Sequence, residues 1–471
     1  ARTSASSDDS LVTMKKTVGF VEGTAIVLGI VVGSGIFLSP AGVAVNSGSV
    51  GLSLVIWALC GIFSTLGALS FAELGTTIPR SGGDYLYILE IFGPFWAFMR
   101  IWIELTVIRP ASHAIIALTL SYYVVQINCI ITPQIVIRLI SLLSVGILTW
   151  INCRSSELST RVQQVFTVAK VLALLIVIVM GAVQAVNGKI DNFASSFVFK
   201  GTTTDVKKIV LAINAGLWAF SGWNELNYVT DEIKNPARNL PLAVVTSMLI
   251  TTGLYILVNL AYFTVLSPAL AGSGPTAVIF GKLTMGHWSI CIPIFVALCC
   301  FGGINGSIFT SSRLFYIGAC EGHLPSIMGM INLKNLTPTP SIIVIGLISA
   351  VYMVTENVFL LINYVNFVYF LSMGFTIIGL ILLRIKQPQM ERPLKLPLIV
   401  PIIAASLCML TGVVSFVISP VESGIGLAMV LTSVPVYIVA VKMKKPVRLV
   451  QTYESLTVFL QCMTNCVAEE I

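Results

Sequence analysis

The chain puts its poorest helix formers where a broken helix is hardest to tolerate. Leu28 to Leu38 carries no charge, yet Gly33-Ser34-Gly35 interrupts it. In lipid, an interrupted helix leaves N–H and C=O groups unpaired. Each costs several kcal/mol unless protein, water or a ligand satisfies it. The lipid setting follows from composition. Of 471 residues, 56% are hydrophobic and only 10% are charged, against about a quarter charged in soluble domains. The polar residues are too few to cover a soluble surface, so the chain reads as an all-α polytopic membrane protein. Its net charge of +7 is not gathered into a basic patch interleaved with aromatics, which sets nucleic acid aside as a partner.

A membrane-spanning helix needs about 20 mostly apolar residues. About twelve such runs lie near 17–46, 51–78, 85–124, 133–152, 160–186, 206–232, 240–266, 286–316, 339–354, 357–384, 397–419 and 424–442. The third and eighth are long and are expected to be tilted or kinked. Lysine and arginine then set the orientation. With a cytoplasmic N-terminus, the inside loops hold Lys15, Lys16, Arg80, Arg154, Arg161, Lys234, Arg238, Arg313, Arg384, Lys386, Arg392 and Lys442, among others. The outside loops hold mainly Lys189, Lys200, Lys207, Lys208 and Lys282. That bias predicts both termini in the cytoplasm, and an odd number of spans would spoil it. The expected organisation is a polar tail over 1–16, five-helix units over 17–186 and 206–384, and a final helix pair over 396–442. An amphipathic helix over 447–466 would then lie on the inner leaflet. Cys462 and Cys466 in that helix read as inert thiols rather than lipidation sites.

A second interruption gives the first one meaning. The sixth run contains "LWAFSGWNELNYVTDE", residues 217–232. Ser221-Gly222 breaks it, and Asn224, Glu225 and Asn227 bring polar atoms to the same region. Alone, the first break could be a close-packing seam of small residues. Interruptions at the start of both five-helix units point instead to a transport site near the bilayer midplane. A half-helix N-terminus offers free N–H groups and partial positive charge, which suit a carboxylate. A half-helix C-terminus offers carbonyls, which suit an ammonium. Two adjacent breaks can therefore hold the zwitterionic head of any α-amino acid with backbone alone.

Several ordered motifs carry a resemblance. "GSGIFLSP", "FAELGTTIPRSGGDYLYILEIFGP", "IELTVIRPAS", "GWNELNYVTDEIKNPARNLPLA", "SSRLFYIGACEGHLPS" and "ERPLKLPL" resemble the light chains of heteromeric amino-acid transporters. These belong to the amino acid–polyamine–organocation superfamily. The resemblance runs from about residue 17 to about 445. It implies a LeuT-like fold of 12 transmembrane helices, ten of them in a 5+5 inverted repeat followed by two C-terminal helices. It also implies sodium-independent exchange of amino acids by alternating access at the plasma membrane. A single-span glycoprotein heavy chain, disulfide-linked outside the membrane, is the implied partner.

Carried over position by position, the resemblance places Val31, Gly33, Ser34 and Gly35 at the substrate head group, with Ser34 and Gly35 at the carboxylate. Trp218, Ala219 and Ser221 fall where backbone carbonyls meet the ammonium. Trp218 takes the place of an aromatic gate; a packed interfacial ring is the alternative. Lys170, in "FTVAKVLALLIV", matches a lysine that occupies the space of a coupling sodium ion. Otherwise it is a residue snorkelling to the inner interface. Ser112 and Ile116 match third-helix positions near the substrate side chain, whereas His113 reads as a satisfied core histidine. Asn305 could serve function or packing equally.

Substrate choice turns on two further positions. Relatives for cystine and dibasic amino acids carry Asp where this chain has Ser221. Those exchanging cationic for neutral amino acids with sodium carry Asp where it has Asn224. Both carboxylates are missing here, which favours neutral substrates. Glu225 works the other way: it could face the side-chain pocket and attract Lys or Arg, or turn away to a neighbouring helix. Large neutral amino acids are therefore expected first, with cationic ones possible. Arg109 and Glu104 could pair, although a spacing of five is not the helical three or four. Glu73, Arg80, Asp84, Asp231, Glu232, Lys234 and Arg238 could form an inside gate, or be solvated loop charges.

Of ten cysteines, most lie in apolar runs. Cys129, in the extracellular "VQINCIITPQ", sits where the family's heavy-chain cysteine bond falls. Rival classes fare worse. Three histidines, no HExxH and no cluster at ligand spacing give no metal or cofactor site. "RSGGD" departs from the intramembrane aspartyl protease pattern at Ser81. A channel would need a carbonyl-lined pore loop. A sodium-coupled symporter of the same fold is the nearer alternative, and Lys170 argues against it.

Overall fold

The computed structural model describes residues 18–125, 133–194, 197–354, 358–443 and 447–468. Helices α1 (Phe20–Val31) and α2 (Gly35–Ser47) come first, then α3 (Val50–Thr77), α4 (Gly83–Phe92) and α5 (Pro94–Ile103). A π-helical turn over Glu104–Ile108 joins α5 to α6 (Arg109–Val125), followed by α7 (Gln134–Arg154), α8 (Ser156–Val186) and α9 (Val206–Ala219). After a 3-10 segment, Glu225–Glu232, come α10 (Pro236–Val265), α11 (Pro268–Ala271), α12 (Thr276–Thr284) and α13 (Cys291–Cys320). The chain closes with α14 (Thr339–Tyr352), α15 (Val358–Lys386), α16 (Ile399–Ile418), α17 (Pro420–Leu431), α18 (Ser433–Tyr437) and α19 (Val447–Thr464).

Local chemistry sets the boundaries. Gly48, at φ 72°, stops α2, and the Ser49 hydroxyl caps α3 by accepting from Leu52 N–H at 3.3 Å. Ser155 caps α8 in the same way, accepting from Leu158 N–H at 3.2 Å. These hydroxyls satisfy helix-end N–H groups that have no intrahelical acceptor.

Among the described residues, nine helical stretches are long and apolar enough to cross a membrane, and the bent pair α1–α2 makes a tenth. The sixth and ninth expected runs are helices but short ones. α9 and α14 have 14 residues each, or about 21 Å at 1.5 Å per residue. The third run differs from expectation at its start. Gly93, at φ 92°, ends α4, and Pro94 opens a new helix, so the span is Pro94–Val125 and α4 precedes it.

The helix expected over 447–466 ends at Thr464. Cys466–Ala468 then forms a strand, β2, antiparallel to β1 (Met330–Asn332) in the loop after α13. Asn332 Nδ2 donates to Thr464 O at 2.6 Å, and Leu333 N–H to Asn465 O at 3.0 Å.

Two of the charges considered for an inside gate are not solvated. Glu73 is fully buried and forms an ion pair with Arg384; its carboxylate also accepts from Leu396 N–H at 3.2 Å. Asp84 is fully buried too. Arg80 does sit in solvent, pairing with Glu90 at 3.0 Å. Removing one partner of a buried pair costs about 3–5 kcal/mol because the other charge is stranded, whereas an exposed pair contributes about 0–1 kcal/mol. Glu73→Ala is therefore expected to lower the thermal midpoint of the detergent-purified protein clearly. Arg80→Ala should move it little in the same melt.

Candidate functional site

Both interruptions exist, and they touch. α1 ends at Val31, and the chain turns by 49° before α2. Gly33 N–H donates to Val31 O at 2.8 Å, and Phe37 N–H is the first in α2 to reach a carbonyl, Ser34 O at 3.1 Å. The N–H groups of the first α2 turn thus face outward from a helix N-terminus. The second break follows Ala219. Ser221 N–H and Oγ both donate to Trp218 O, at 3.2 and 2.8 Å, and Gly222 takes φ 104°. A Cβ on Gly35 would lie 2.5 Å from Ala219 Cα. Only a glycine lets the two main chains meet there. The Tyr255 hydroxyl of α10 lies 2.8 Å from Val31 O and 3.0 Å from Ala219 O, so one proton serves the last carbonyls of both half-helices.

A cavity opens at this crossing. Val31, Gly33, Ser34 and Gly35 line it from the first break, and Trp218, Ala219, Ser221, Gly222 and Glu225 from the second. Glu104, Arg109, Ser112 and Ile116 face it from the third span, Gly303 and Ser307 from α13, and Tyr369 and Asn366 from α15. Of the residues expected at a binding site, Asn224 is the exception. It is 2% exposed and packs behind the wall, where its Oδ1 accepts from Tyr369 Oη at 3.1 Å. It positions a lining residue rather than lining the cavity.

Lys170 does not snorkel to the interface. It is fully buried, and its Nζ donates to Gly29 O at 2.7 Å. That puts a cation on the last turn of α1, where a helix dipole favours it. His113 is the satisfied core histidine expected, bridging Ser349 Oγ at 2.9 Å and Ser307 Oγ at 2.8 Å. Asn305 packs: its Nδ2 donates to Ser159 O at 2.9 Å and its Oδ1 accepts from Asn152 Nδ2 at 3.0 Å.

Arg109 and Glu104 do pair, at 2.7 Å. The π turn explains the unusual spacing, because i→i+5 geometry stacks residues five apart. The pair belongs to a longer chain of buried charges. Asp84 binds Arg100, which also contacts Glu104. Arg109 Nη1 then reaches Glu225 Oε1 at 2.8 Å. Glu225 thus does both things its sequence position allowed: it pairs with a neighbouring helix and lines the cavity. Cys129 lies outside the described residues.

Two interrupted helices that meet at a cavity with a few buried charged residues, inside a helical membrane bundle, define a solute transporter. The chain belongs to the amino acid permease family, whose model matches residues 18–441. It is 44% identical to the rat large neutral amino acids transporter small subunit 2, over 98% of this chain and 87% of the relative. It is 41% identical to the human cystine/glutamate transporter, over 98% and 92%. It is 42% identical to the mouse Asc-type amino acid transporter 1, over 95% and 85%. The resemblance to light chains of heteromeric transporters is borne out over nearly the full length.

Gly35→Ala forces the two main chains apart and is expected to cut amino-acid uptake at least about tenfold, since misplacing a binding geometry by an ångström can cost that much or more. Gly253→Ala, where a Cβ meets nothing within 4 Å, should leave uptake intact. Transport normalised to surface-biotinylated protein compares the two.

Proposed function

We propose that the chain is the transport subunit of a sodium-independent amino-acid exchanger working by alternating access. The observation that carries this is the contact between the two breaks at Gly35 and Ala219. It brings a half-helix N-terminus and two half-helix C-termini to one cavity, which suits a group bearing both a carboxylate and an ammonium. In this reading Ser34 and Gly35 N–H groups take the carboxylate. Carbonyls at the ends of α1 and α9 take the ammonium, displacing the Tyr255 hydroxyl that now serves them. Trp218 closes the cavity from outside. Lys170 supplies the fixed positive charge that a sodium ion supplies in coupled relatives.

The topology that fits is twelve crossings, with α9 and α14 completing two inverted five-helix repeats over 17–186 and 206–384 and a closing pair over 396–442. Both termini then lie in the cytoplasm of a plasma-membrane protein. A single-span glycoprotein heavy chain joins through Cys129. Large neutral amino acids are the first substrates, and Glu225 admits cationic ones.

Exchange makes a specific demand: leucine inside proteoliposomes accelerates leucine entry, in sodium-free buffer as much as with sodium. Entry without such acceleration would indicate a channel, and a sodium requirement would indicate a symporter. Glu225→Gln is expected to lower the arginine-to-leucine uptake ratio by about 10–150-fold, the worth of a hydrogen bond to a charged group. Cys129→Ser should abolish the covalent heterodimer on a non-reducing gel.

A further inference from the structure

The wall of the cavity carries more acid than base. Asp84, Arg100, Glu104, Arg109 and Glu225 form one continuous chain of ion pairs, and the most exposed of them, Glu225, is only 7% accessible. Three carboxylates face two guanidiniums, so one negative charge is left over. Asp84 is fully engaged: besides Arg100, it accepts from Tyr228 Oη at 2.9 Å and Tyr85 N–H at 2.9 Å. Glu104 accepts from both arginines. Glu225 ends the chain. Its Oε1 is on Arg109, but its Oε2 is buried and has no hydrogen-bond partner.

The groups around Glu225 do not cancel the excess. Thr310 of α13 is close enough to act on this carboxylate as a hydrogen-bond donor, but its hydroxyl lies 3.2 and 3.3 Å from the carbonyls of Gly306 and Ser307, and Oε2 has no partner in hydrogen-bond geometry. Tyr369 of α15 donates to Asn224. Tyr228 on the same segment donates to Asp84 and lies under the Arg109 guanidinium, 5.3 Å away. Tyr87 of α4 donates to Asn227. From α1 and α3, Glu22 accepts from Gly19 N–H and Glu73 pairs with Arg384; Arg238 of α10 is exposed. A buried carboxylate left in this condition takes up a proton or a cation, and Glu225 is one of the residues that line the cavity.

We propose that Glu225 alternates between a proton, held while the cavity carries a neutral amino acid, and the cationic side chain of a basic amino acid. The inference rests on the exchange reading above. The balance is simple. A cationic substrate enters on the ionised carboxylate and is released inside. A neutral substrate then binds there together with one proton on Oε2, and both leave. One positive charge moves each way, so the exchange of a basic for a neutral amino acid is electrically silent and carries one proton with the neutral partner.

The test uses the light chain with its heavy chain in proteoliposomes containing leucine and a pH dye, with potential clamped by potassium and valinomycin. External arginine is expected to alkalinise the lumen by about one proton per arginine taken up, at a rate that differs less than twofold between clamped potentials. External leucine should give no pH signal. The half-saturating arginine concentration should rise by up to about tenfold per unit of acidification, as for a proton and a cation competing for one carboxylate, and Glu225→Gln should flatten that slope. Arginine entry that follows the potential and moves no proton would overturn the inference, as would leucine exchange without arginine exchange; both leave amino-acid exchange standing. Loss of leucine exchange itself would overturn both readings.

Discussion

Everything at the centre of this molecule depends on a main-chain contact between Gly35 and Ala219. A helix broken in lipid is unstable unless its freed groups find partners, and each break here helps to provide for the other. The shared donor is the Tyr255 hydroxyl, which reaches the terminal carbonyls of both half-helices. Its ring is held in turn by Trp57 and Phe220, at centroid distances of 5.7 and 4.9 Å. A tyrosine proton is a weak and exchangeable partner for a carbonyl. It satisfies both carbonyls and would give way to a donor that bonds more strongly, such as the ammonium of the proposed substrate.

The charges follow a second logic. Lys170 sits alone on a helix end and needs only the local dipole and Gly29 O. The five-residue chain from Asp84 to Glu225 links α4, the third span and the segment after the second break. Those elements therefore cannot move independently without separating buried charges. Arg109 is the joint, since it contacts Glu104 within its own span and Glu225 on the segment after the second break. Of the residues that hold these elements together, Glu104, Arg109 and Glu225 also line the cavity.

The breaks were legible in the sequence because Gly33-Ser34-Gly35 and Ser221-Gly222 violate helix propensity inside apolar runs. Lys170 was legible for a similar reason, as an ammonium where lipid forbids one. The long-range partners were not. Nothing local to Tyr255 says that it reaches residue 31, and Asn224 looks as polar and as well placed as Glu225. Tyr369, which separates their roles, lies 145 positions away. The Glu104–Arg109 pair was half visible: a spacing of five reads as wrong until a π turn makes it right. Gly93 and Pro94, read together, could have divided the third run, since a glycine followed by proline is a stop and a start.

The strand Cys466–Ala468 ties the far end of the described chain to the loop after α13. Two paired strands of three residues are marginal on their own, so this knot is held by its setting and can be undone. α13 contributes Gly303 and Ser307 to the cavity wall. Displacing that helix would therefore pull on a tether that begins ten residues beyond its last residue, Cys320, at Met330. The far end of the described chain is thus coupled, through the loop after α13, to a helix that lines the cavity.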